Sequence, residues 1–512
     1  MFGAFAVFVA RSSALRQATS ATYLGFVLAA SVVSTQLVAG LGGSQWASEV
    51  PRWPSLGIRL DIVTAVMLSL VCALGLVIAR YSQTYLHGDL GQRRYARWFL
   101  ATLSAVTLLV ISNNLLVIAL AWTATSLALH QLLTFYSHRT PALVAAHKKF
   151  LVSRLADVCL LGGTALVGLS VGSVQLDAIA NWVRLHEALP TSLELAAVLI
   201  VVAVSLKSAQ LPFHGWLIQV MEAPTPVSAL LHAGVVNIGG FVLIRLAPFM
   251  AHAAMAQTLL VGTGMLTTVL AALVMTTRVS VKVSLAWSTC AQTGFMLAQC
   301  GLGLWHLALL HLVAHSLYKA HAFLSSGGTV NGWRVHSISK KSQALSPSRL
   351  VTIGGFCVLS VLGALAALGL ITRDDLSLTP LAFVVGLSLV PLASVGLGQG
   401  ARQFARVALR CVGVLVLYFG WHAVFGLLLP LPAGSAASWP RWSLVVLGFT
   451  TLFVLQTALQ TRPRGRLARA LYPRLFAGFY LDERFTRLTF RLWPLRKATA
   501  QPQYVDQTLE AR

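Results

Sequence analysis

Apolar runs of about twenty residues recur along the whole chain and restrict its fold more than any other feature. A run of this length can cross the hydrocarbon core of a bilayer as a helix. Lipid offers no hydrogen-bond partners, so a spanning backbone must satisfy its own polar groups. The sequence therefore predicts an all-α polytopic membrane protein, in agreement with 57% hydrophobic and 10% charged residues. About 14 spans are predicted, near residues 22–42, 60–80, 96–112, 113–133, 150–170, 194–216, 227–250, 257–277, 283–303, 304–326, 350–371, 378–399, 405–429 and 441–460.

The net charge of +24 follows the predicted topology. Most Lys and Arg residues fall on one side, and the other side holds only Arg52, Arg59, Arg184, Arg245, Arg373 and Arg441. This asymmetry is typical of membrane proteins whose basic loops are cytoplasmic. It predicts an even number of spans, both termini in the cytoplasm and a place in the inner membrane of a bacterium, with the lipid bilayer rather than a nucleic acid as partner. The opening "MFGAFAVFVARSS" has too short an apolar run for a secretory signal, so none is expected.

Ionisable side chains inside predicted spans are candidates for function, because burying them in a bilayer costs several kcal/mol. Histidines and a lysine spaced by four residues lie on one face of a helix and should point into the protein. Burial favours a neutral lysine amine, and a nearby carboxylate favours the ammonium, so movement of that carboxylate could switch the proton on and off. The candidates for a proton or ion path are Asp157, Lys207, His232, His311, His315, Lys319, Arg373 and Asp374.

Prolines predict a broken helix beside Lys207. Pro212 follows it in "SLKSAQLPFHGWL", and Pro224 and Pro226 lie where a new helix should begin. Transporters place such breaks at ion sites. Metal ligation by His311 and His315 is disfavoured because Leu312 stands where a zinc-protease motif has glutamate. We predict no metal or cofactor in this chain, and the six scattered cysteines are interpreted as small buried hydrophobic residues.

Four other polar residues have simpler interpretations: His130 as a helix-packing residue, Lys282 as a helix-end lysine reaching the interface, and Asp61 and Glu222 as boundary residues. The tail from Arg462 onward mixes arginines with aromatic residues at roughly helical spacing. It is interpreted either as an amphipathic helix on anionic lipid or as a docking surface for a cytoplasmic partner.

Three segments carry a family resemblance: "KSAQLPFHGWL" with "APTPVSALLHAG", "SLAWSTCAQTGFM", and "HLVAHSLYKAHAFLSSG". They resemble the antiporter-like membrane subunits of respiratory complex I and of multisubunit cation/proton antiporters. The resemblance implies two inverted five-helix repeats with discontinuous helices around a hydrated axis. It places Lys207 as the lysine of the first half, His232 as the bridging histidine, and Arg373 with Asp374 at the exit. The expected division is 1–95 for N-terminal helices, 96–250 and 251–430 for the two repeats, and 431–512 for the last helix and basic tail.

The chain also departs from the complex I pattern. Trp122 is followed by Thr123, where that family has the glutamate that pairs with the lysine, so Asp157 is expected to take over as partner of Lys207. Arg373 stands where a lysine is usual, and arginine does not readily release a proton. The short stretch after the last predicted span leaves no room for the lateral helix of the distal complex I subunit.

This altered pattern is similar to the DabB-type membrane subunits of energy-coupled inorganic carbon pumps. The similarity lies in "WTATSLALHQLLTFY", "KKFLVSRLAD" and the tail "GFYLDERFTRLTFRLWP". It implies a subunit that conducts a cation, H⁺ or Na⁺ with H⁺ favoured. The implied partner is a large cytoplasmic DabA-type subunit that resembles a β-carbonic anhydrase, contains zinc and hydrates CO₂. The alternative is a proton-translocating subunit of NADH-quinone oxidoreductase or of an Mrp-type Na⁺/H⁺ antiporter. A stand-alone enzyme is disfavoured, because no nucleophile and base, cofactor loop or metal set is recognisable.

Overall fold

The computed structural model describes residues 14–41, 57–186, 188–328, 346–369, 379–396, 401–428 and 439–493. These residues are almost entirely helical, and the only β contacts among them are two isolated bridges, Ile58 to Ser112 and Asn114 to Gln175. The predicted all-α class is therefore confirmed. Arg373 and Asp374 lie outside the described residues.

The helices of the first half are α1 Ala14–Leu41, α2 Ile62–Tyr85, α3 Gln92–Ile111, α4 Leu115–Leu133, α5 Thr140–Val171, α6 Leu176–Arg184, α7 Thr191–Lys207, α8 Gly215–Gln219, α9 Thr225–Ala233, α10 Ile238–Arg245 and α11 Ala247–Met250. The helices that follow are α12 Ala254–Met275, α13 Val281–Gly301, α14 Trp305–Leu324, α15 Pro347–Ala367, α16 Thr379–Ser388, α17 Val390–Gly396, α18 Ala401–Leu428, α19 Trp439–Thr461, α20 Arg466–Phe476 and α21 Leu481–Leu492.

Each predicted span coincides with a helix or a helical pair, but only ten stretches of the described chain are long and apolar enough to count as candidate spans. The other predicted spans fall on the short α7, on α13 and α14, which carry more polar side chains, and on the pair α16–α17. The figure of 14 therefore stays a prediction, as does the division into repeats. Two starting boundaries were wrong: α5 begins at Thr140, ten residues before the predicted start at 150, and α1 begins at Ala14, eight residues before the predicted start at 22.

Helix α7 ends at Lys207, in the middle of the predicted span 194–216. Ala209 has a left-handed backbone conformation with φ of 52°, and regular structure resumes only at Gly215. Pro212 lies inside this interruption, Pro224 occupies the N-cap of α9, and Pro226 lies in its first turn, where a proline costs no helical hydrogen bond. The next span is interrupted as well, because α9 and α10 are separated at residues 234–237. Both interruptions lie among buried side chains.

Helices α12 and α13 pack with their backbones in direct contact. A Cβ atom added at Gly264 would lie 2.5 Å from the carbonyl oxygen of Gly294, and one added at Gly294 would lie 2.7 Å from that of Gly264. Small residues allow this close approach of membrane helices. The glycine pair therefore holds α13 firmly against α12, and α13 carries much of the polar chemistry described below.

The bundle has two polar ends. At one of them, Arg245 of α10 pairs with Asp61 at the start of α2, and Arg59 pairs with Asp177 of α6; we call this the Arg245 end. At the opposite end, helices α20 and α21 pack against the start of α5 and against the loops before α8 and α13; we call this the tail end. Two residues of the basic side, Lys148 and Arg278, contact the tail at this end.

Candidate functional site

Asp157 of α5 lies between two cations inside the bundle. Its Oδ1 is 2.6 Å from Lys207 Nζ, and its Oδ2 is 2.7 Å from Arg154 Nη2. The side chains of Lys207 and Asp157 are only 4% and 8% exposed, whereas that of Arg154 is 31% exposed. The expected pairing of Asp157 with Lys207 is therefore present. Arg154 was not among the predicted residues, although it lies one helical turn before Asp157 and so shares its face.

The surroundings of Lys207 come from α4 and α5. Its Nζ lies 4.7 Å from the centre of the Trp122 ring, close enough for a cation–π contact. Lys149 is also buried, and it donates hydrogen bonds from Nζ to the carbonyl and the hydroxyl oxygen of Ser126, at 2.6 and 2.8 Å. Lys149 lies just before the predicted span 150–170. The early start of α5 brings this lysine inside the bundle.

The second cluster lies on α14, where one face carries His315 and Lys319, both buried. Lys319 donates from Nζ to the carbonyl oxygen of Leu285 at 2.9 Å and to Ser288 Oγ at 2.8 Å. The ring centres of His311 and His315 are 6.0 Å apart. The expectation that these residues face the protein interior is confirmed for His315 and Lys319, and His311 is partly buried.

His311 is held between two glutamines of α13. Its Nδ1 is 2.8 Å from Gln299 Oε1, and its Nε2 is 2.9 Å from Gln292 Oε1. Two oxygen acceptors suit an imidazolium ring, in which both nitrogens donate. Half a turn of either amide would present a donor instead and suit the neutral ring. His311 can therefore gain or lose a proton and keep both hydrogen bonds.

A polar strip runs along α13 and was not predicted as a site. It consists of Ser288, Thr289, Gln292, Thr293 and Gln299, which share a helix face by their spacing. His311 and Lys319 of the second cluster both form their hydrogen bonds with residues of α13. The motif "SLAWSTCAQTGFM" could have predicted this strip, because it contains four of the five strip residues at helical spacing.

His232 and the α7 break reach the same strip. His232 is buried, its Nδ1 lies 3.1 Å from Thr289 Oγ1, and its ring stacks on Phe323 with ring centres 4.4 Å apart. The hydroxyl of Thr289 donates to the carbonyl of Leu285, which also accepts from Lys319. His232 and Lys319 are thus linked through the Thr289 hydroxyl and the carbonyl oxygen of Leu285.

The break after Lys207 contacts the strip one turn farther along α13. Gln210 donates from Nε2 to the carbonyl oxygen of Ser208 at 2.9 Å and to Thr293 Oγ1 at 3.2 Å. Thr293 is one helical turn from Thr289 and donates to its carbonyl oxygen. Within the described part of the chain, no direct hydrogen bond or ion pair joins Lys207 to His232. The strip contacts Ser208 and Gln210, directly after Lys207, and so lies next to the first cluster.

The Arg245 end carries a separate charge cluster around Asp61. Asp61 caps α2 by accepting from the backbone N–H of Thr64 at 2.8 Å, and it pairs with Arg59 and Arg245. Burial alone would raise the pKa of Asp61, but the charges of Arg245 and Arg59 and the hydrogen bonds hold that pKa well below its usual range. The cluster lines a cavity of about 140 Å³ together with Asp177 and Arg184. The interpretation of Asp61 as an ordinary boundary residue missed this network.

The remaining residues with simple interpretations are also placed. Lys282, at the start of α13, donates to Thr225 Oγ1 at 2.8 Å, and exposed Glu222 lies 3.6 Å from Arg139. His130 is half-buried and lies against Phe150, with ring centres 5.4 Å apart. Across the described ranges, no group of three or more His, Cys, Asp and Glu residues is close enough together to hold a metal ion.

The tail packs on the body of the chain, a contact that neither interpretation of its sequence anticipated. Asp482 of α21 accepts from Lys148 Nζ at 2.8 and 2.9 Å and from Gln219 Nε2 at 2.8 Å. Trp493 stacks on His147 with ring centres 4.0 Å apart, and Arg278 donates to the carbonyl of Leu475. Residues 462–493 therefore cover the tail end of α5 and the loops that lead into α8 and α13.

Family comparisons agree with this arrangement of the membrane core. A family model described as "NADH:quinone oxidoreductase/Mrp antiporter, TM" matches residues 112–371, and a model for the N-terminus of complex I chain 5 matches residues 47–96. A Hydrogenovibrio crunogenus protein described as a probable inorganic carbon transporter subunit, DabB, is 41% identical over 87% of this chain and 86% of its own length. The chain belongs to the antiporter-like membrane subunits, in the branch of the DabB proteins.

Further comparisons support the DabB branch and the antiporter-like fold. A Halothiobacillus neapolitanus protein described as a probable inorganic carbon transporter subunit, DabB2, is 42% identical over 86% of this chain and 81% of its own length. A solved Mrp complex from Dietzia sp. DQ12-45-1b aligns with a TM-score of 0.53 and 24% identity, over 96% of this chain and 55% of the longer Mrp chain. This second similarity shows a shared antiporter-like fold. The chain is a multi-pass membrane protein of a bacterial transporter family.

Proposed function

We propose that this chain is the cation-conducting membrane subunit of an energy-coupled inorganic carbon transporter, and that the cation is the proton. The observation that carries the proposal is the buried carboxylate of Asp157, shared between Lys207 and Arg154. The relatives described as inorganic carbon transporter subunits supply the transport context. Conduction, and not catalysis, is the role of this chain.

The three charged residues form a proton switch. Arginine does not readily release its proton, whereas a buried lysine can exist as an ammonium or as a neutral amine. When Asp157 is close to Lys207, its negative charge stabilises the ammonium. When it moves toward Arg154, the ammonium is left in a poorly solvated site, which favours release of its proton. Because Asp157 already contacts both cations, a small rotation of its carboxylate is enough.

The strip on α13 carries protons onward from this switch. Its hydroxyl and amide groups connect the α7 break to His232, Lys319 and His311, and each hydroxyl can donate and accept. Water in the interrupted helices would complete the chain of hydrogen bonds, since broken helices in membranes are tolerated where they line a polar cavity.

The basic tail end is proposed to face the cytoplasm of a bacterial cell, with the protein in the inner membrane and both termini inside. The concentration of Lys and Arg on that side supports this orientation. The partner is a DabA-type cytoplasmic subunit that holds zinc and hydrates CO₂ to bicarbonate. One proton that crosses about 100 mV releases about 2.3 kcal/mol, which could bias the hydration equilibrium in that partner roughly fifty-fold.

Reconstitution tests the proposal directly. The full-length chain, purified with its co-purifying subunits, is placed in liposomes, and proton influx under a potassium diffusion potential is followed with an internal pH dye. Wild type should acidify the vesicles, and Lys207→Ala should abolish that flux. The control Arg184→Ala changes an exposed arginine at the Arg245 end and should behave like wild type. An unaltered flux in Lys207→Ala would contradict the proposal.

A second candidate function is supported by the family model, whose description covers NADH-quinone oxidoreductase and Mrp subunits. In that case the chain translocates protons in a redox complex or exchanges Na⁺ for H⁺. Co-purification separates the two. A large zinc-bearing soluble protein and a requirement for high CO₂ after gene deletion support carbon transport, whereas iron-sulfur and flavin subunits or small Mrp subunits support the alternative.

A further inference from the structure

The contact between the tail and Lys148 places a carboxylate at the cytoplasmic end of the first cluster. Lys148 and Asp482 are separated by 334 residues in sequence, yet Asp482 binds Lys148 through both carboxylate oxygens. The side chain of Lys148 is 0% exposed, and that of Asp482 is 29% exposed. The ion pair thus joins the Asp482 carboxylate, which is partly accessible to water, to the Lys148 amine, which is not.

The slot for Asp482 is built closely around its carboxylate. A Cβ atom added at Gly215 would lie 1.4 Å from Asp482 Oδ1, so only glycine leaves room for the carboxylate there. Gln219 donates to Oδ2 from the other end of α8. His214 is buried next to the slot and interacts electrostatically with Asp482, Lys148 and Arg278. Elements from α5, α8 and α21 therefore converge on one carboxylate.

This slot lies on the route from the tail end to Lys207. Lys148 and Asp157 belong to the same helix and are separated by about 13 Å along its axis. Lys149, the next residue, is buried on the inner side and interacts electrostatically with Lys207 and Asp157. The buried amines of α5 thus extend from the Asp482 slot toward the Asp157 switch.

We propose that Asp482 is the residue at which protons pass between the cytoplasm and the buried groups of the first half; this inference rests on the proposed function. Uptake of one proton from water neutralises Asp482 and breaks its pair with Lys148. The Lys148 ammonium, buried without a counter-charge, then gives its proton to the imidazole of His214, which becomes the imidazolium. Transfer of the proton from Asp482 to Lys148 restores the ion pair, so one proton has moved inward for each proton taken up.

Four variants of the full-length chain test this role in the liposome assay. Asp482→Asn removes the charge, Asp482→Glu restores it, and Gly215→Ala displaces an intact Asp482 by occupying its slot. Gly162→Ala is the matched control, because the added Cβ would meet only Leu199 Cδ1 at 3.8 Å. Trypsin cleavage within residues 462–493 reports whether the tail remains docked, since none of the variants alters other tail contacts such as that of Trp493 with His147.

The expected result is a fall in flux of about ten-fold or more, or about 1.4 kcal/mol of barrier, in Asp482→Asn and Gly215→Ala. Tail protection should be unchanged, Asp482→Glu should recover much of the flux, and Gly162→Ala should match wild type. Wild-type flux in Asp482→Asn would overturn the inference. The inference would also be overturned if the tail were released and flux fell equally in Asp482→Asn and Asp482→Glu. Asp482 would then serve only to hold the tail in place.

The same assay separates this inference from the proposed function. If Lys207→Ala abolishes flux and Asp482→Asn does not, conduction stands and the role of Asp482 fails. If wild type conducts no cation, or Lys207→Ala conducts normally, both are overturned.

Discussion

Lys207 Nζ and Asp157 Oδ1 lie 2.6 Å apart inside the bundle, and the other oxygen of the same carboxylate lies 2.7 Å from Arg154. One anion therefore serves two cations in a place where water is scarce. A buried ion pair adds little net stability, but removal of one partner is costly because the other charge is left uncompensated. This asymmetry makes the cluster both sensitive to mutation and suitable for switching.

Asp157→Asn should abolish proton flux and destabilise the protein by about 3–5 kcal/mol, because the buried Lys207 ammonium loses its counter-ion. The double variant Asp157→Asn with Lys207→Met should regain part of that stability but no flux. Thermal unfolding in detergent and the liposome assay measure the two effects. A double variant less stable than Asp157→Asn would contradict the pairing.

Arg154→Gln should slow flux and cost much less stability than Asp157→Asn. The change leaves a matched pair of Lys207 and Asp157, so no buried charge is uncompensated. It removes the position to which the carboxylate can move, and the Lys207 ammonium should hold its proton longer. The same two assays apply, and an unchanged or faster flux would show that Arg154 is not part of the switch.

Thr289→Val should reduce flux about ten-fold or more, because it removes the hydroxyl that joins His232 to the carbonyl shared with Lys319. Valine has nearly the same shape, so the packing is kept. Thr263→Val is the matched control, since that hydroxyl bonds only the carbonyl of Leu259 in its own helix. Equal flux in the two variants would mean that the strip does not carry protons.

The Asp61 cluster predicts a dependence of stability on pH. Because the folded state holds the pKa of Asp61 below its unfolded value near 4, the stabilisation is complete above about pH 4. It is lost as the pH falls through the lower folded pKa. Asp61→Asn should therefore be less stable than wild type by about 3 kcal/mol at pH 7, and the difference should shrink only below about pH 4. Thermal unfolding from pH 7 to pH 3 checks this, and a constant difference throughout would count against it.

Hydropathy and spacing were sufficient to predict the helical class, the break after Lys207 and the common face of His315 and Lys319. The resemblance to complex I subunits, in which a glutamate takes the place of Thr123, suggested Asp157 as partner of Lys207, because a buried lysine requires a counter-charge. These inferences concern residues that are close in sequence, or a buried charge that needs a partner of opposite charge.

The Asp482 slot was beyond such reasoning. Helical periodicity shows that the tail is amphipathic, but it does not say whether lipid, a partner or the chain itself covers the apolar face. Lys148 lies before the predicted span 150–170, so its burial was not expected. Only the tertiary fold shows that a carboxylate 334 residues away meets it. The α13 strip was also missed, since serine, threonine and glutamine carry no charge to attract attention.

The contact between Gly264 and Gly294 limits how helices α12 and α13 can move relative to each other. Where two helices touch main chain to main chain, neither can roll about its axis without a collision. Helix α13 is therefore held in place against α12. Under the proposed function, proton transfer along it would depend on rotation of carboxylates, amides and hydroxyls. If the chain conducts in this way, larger residues at Gly264 or Gly294 should impair conduction by separating two helices, even though no titratable group is altered.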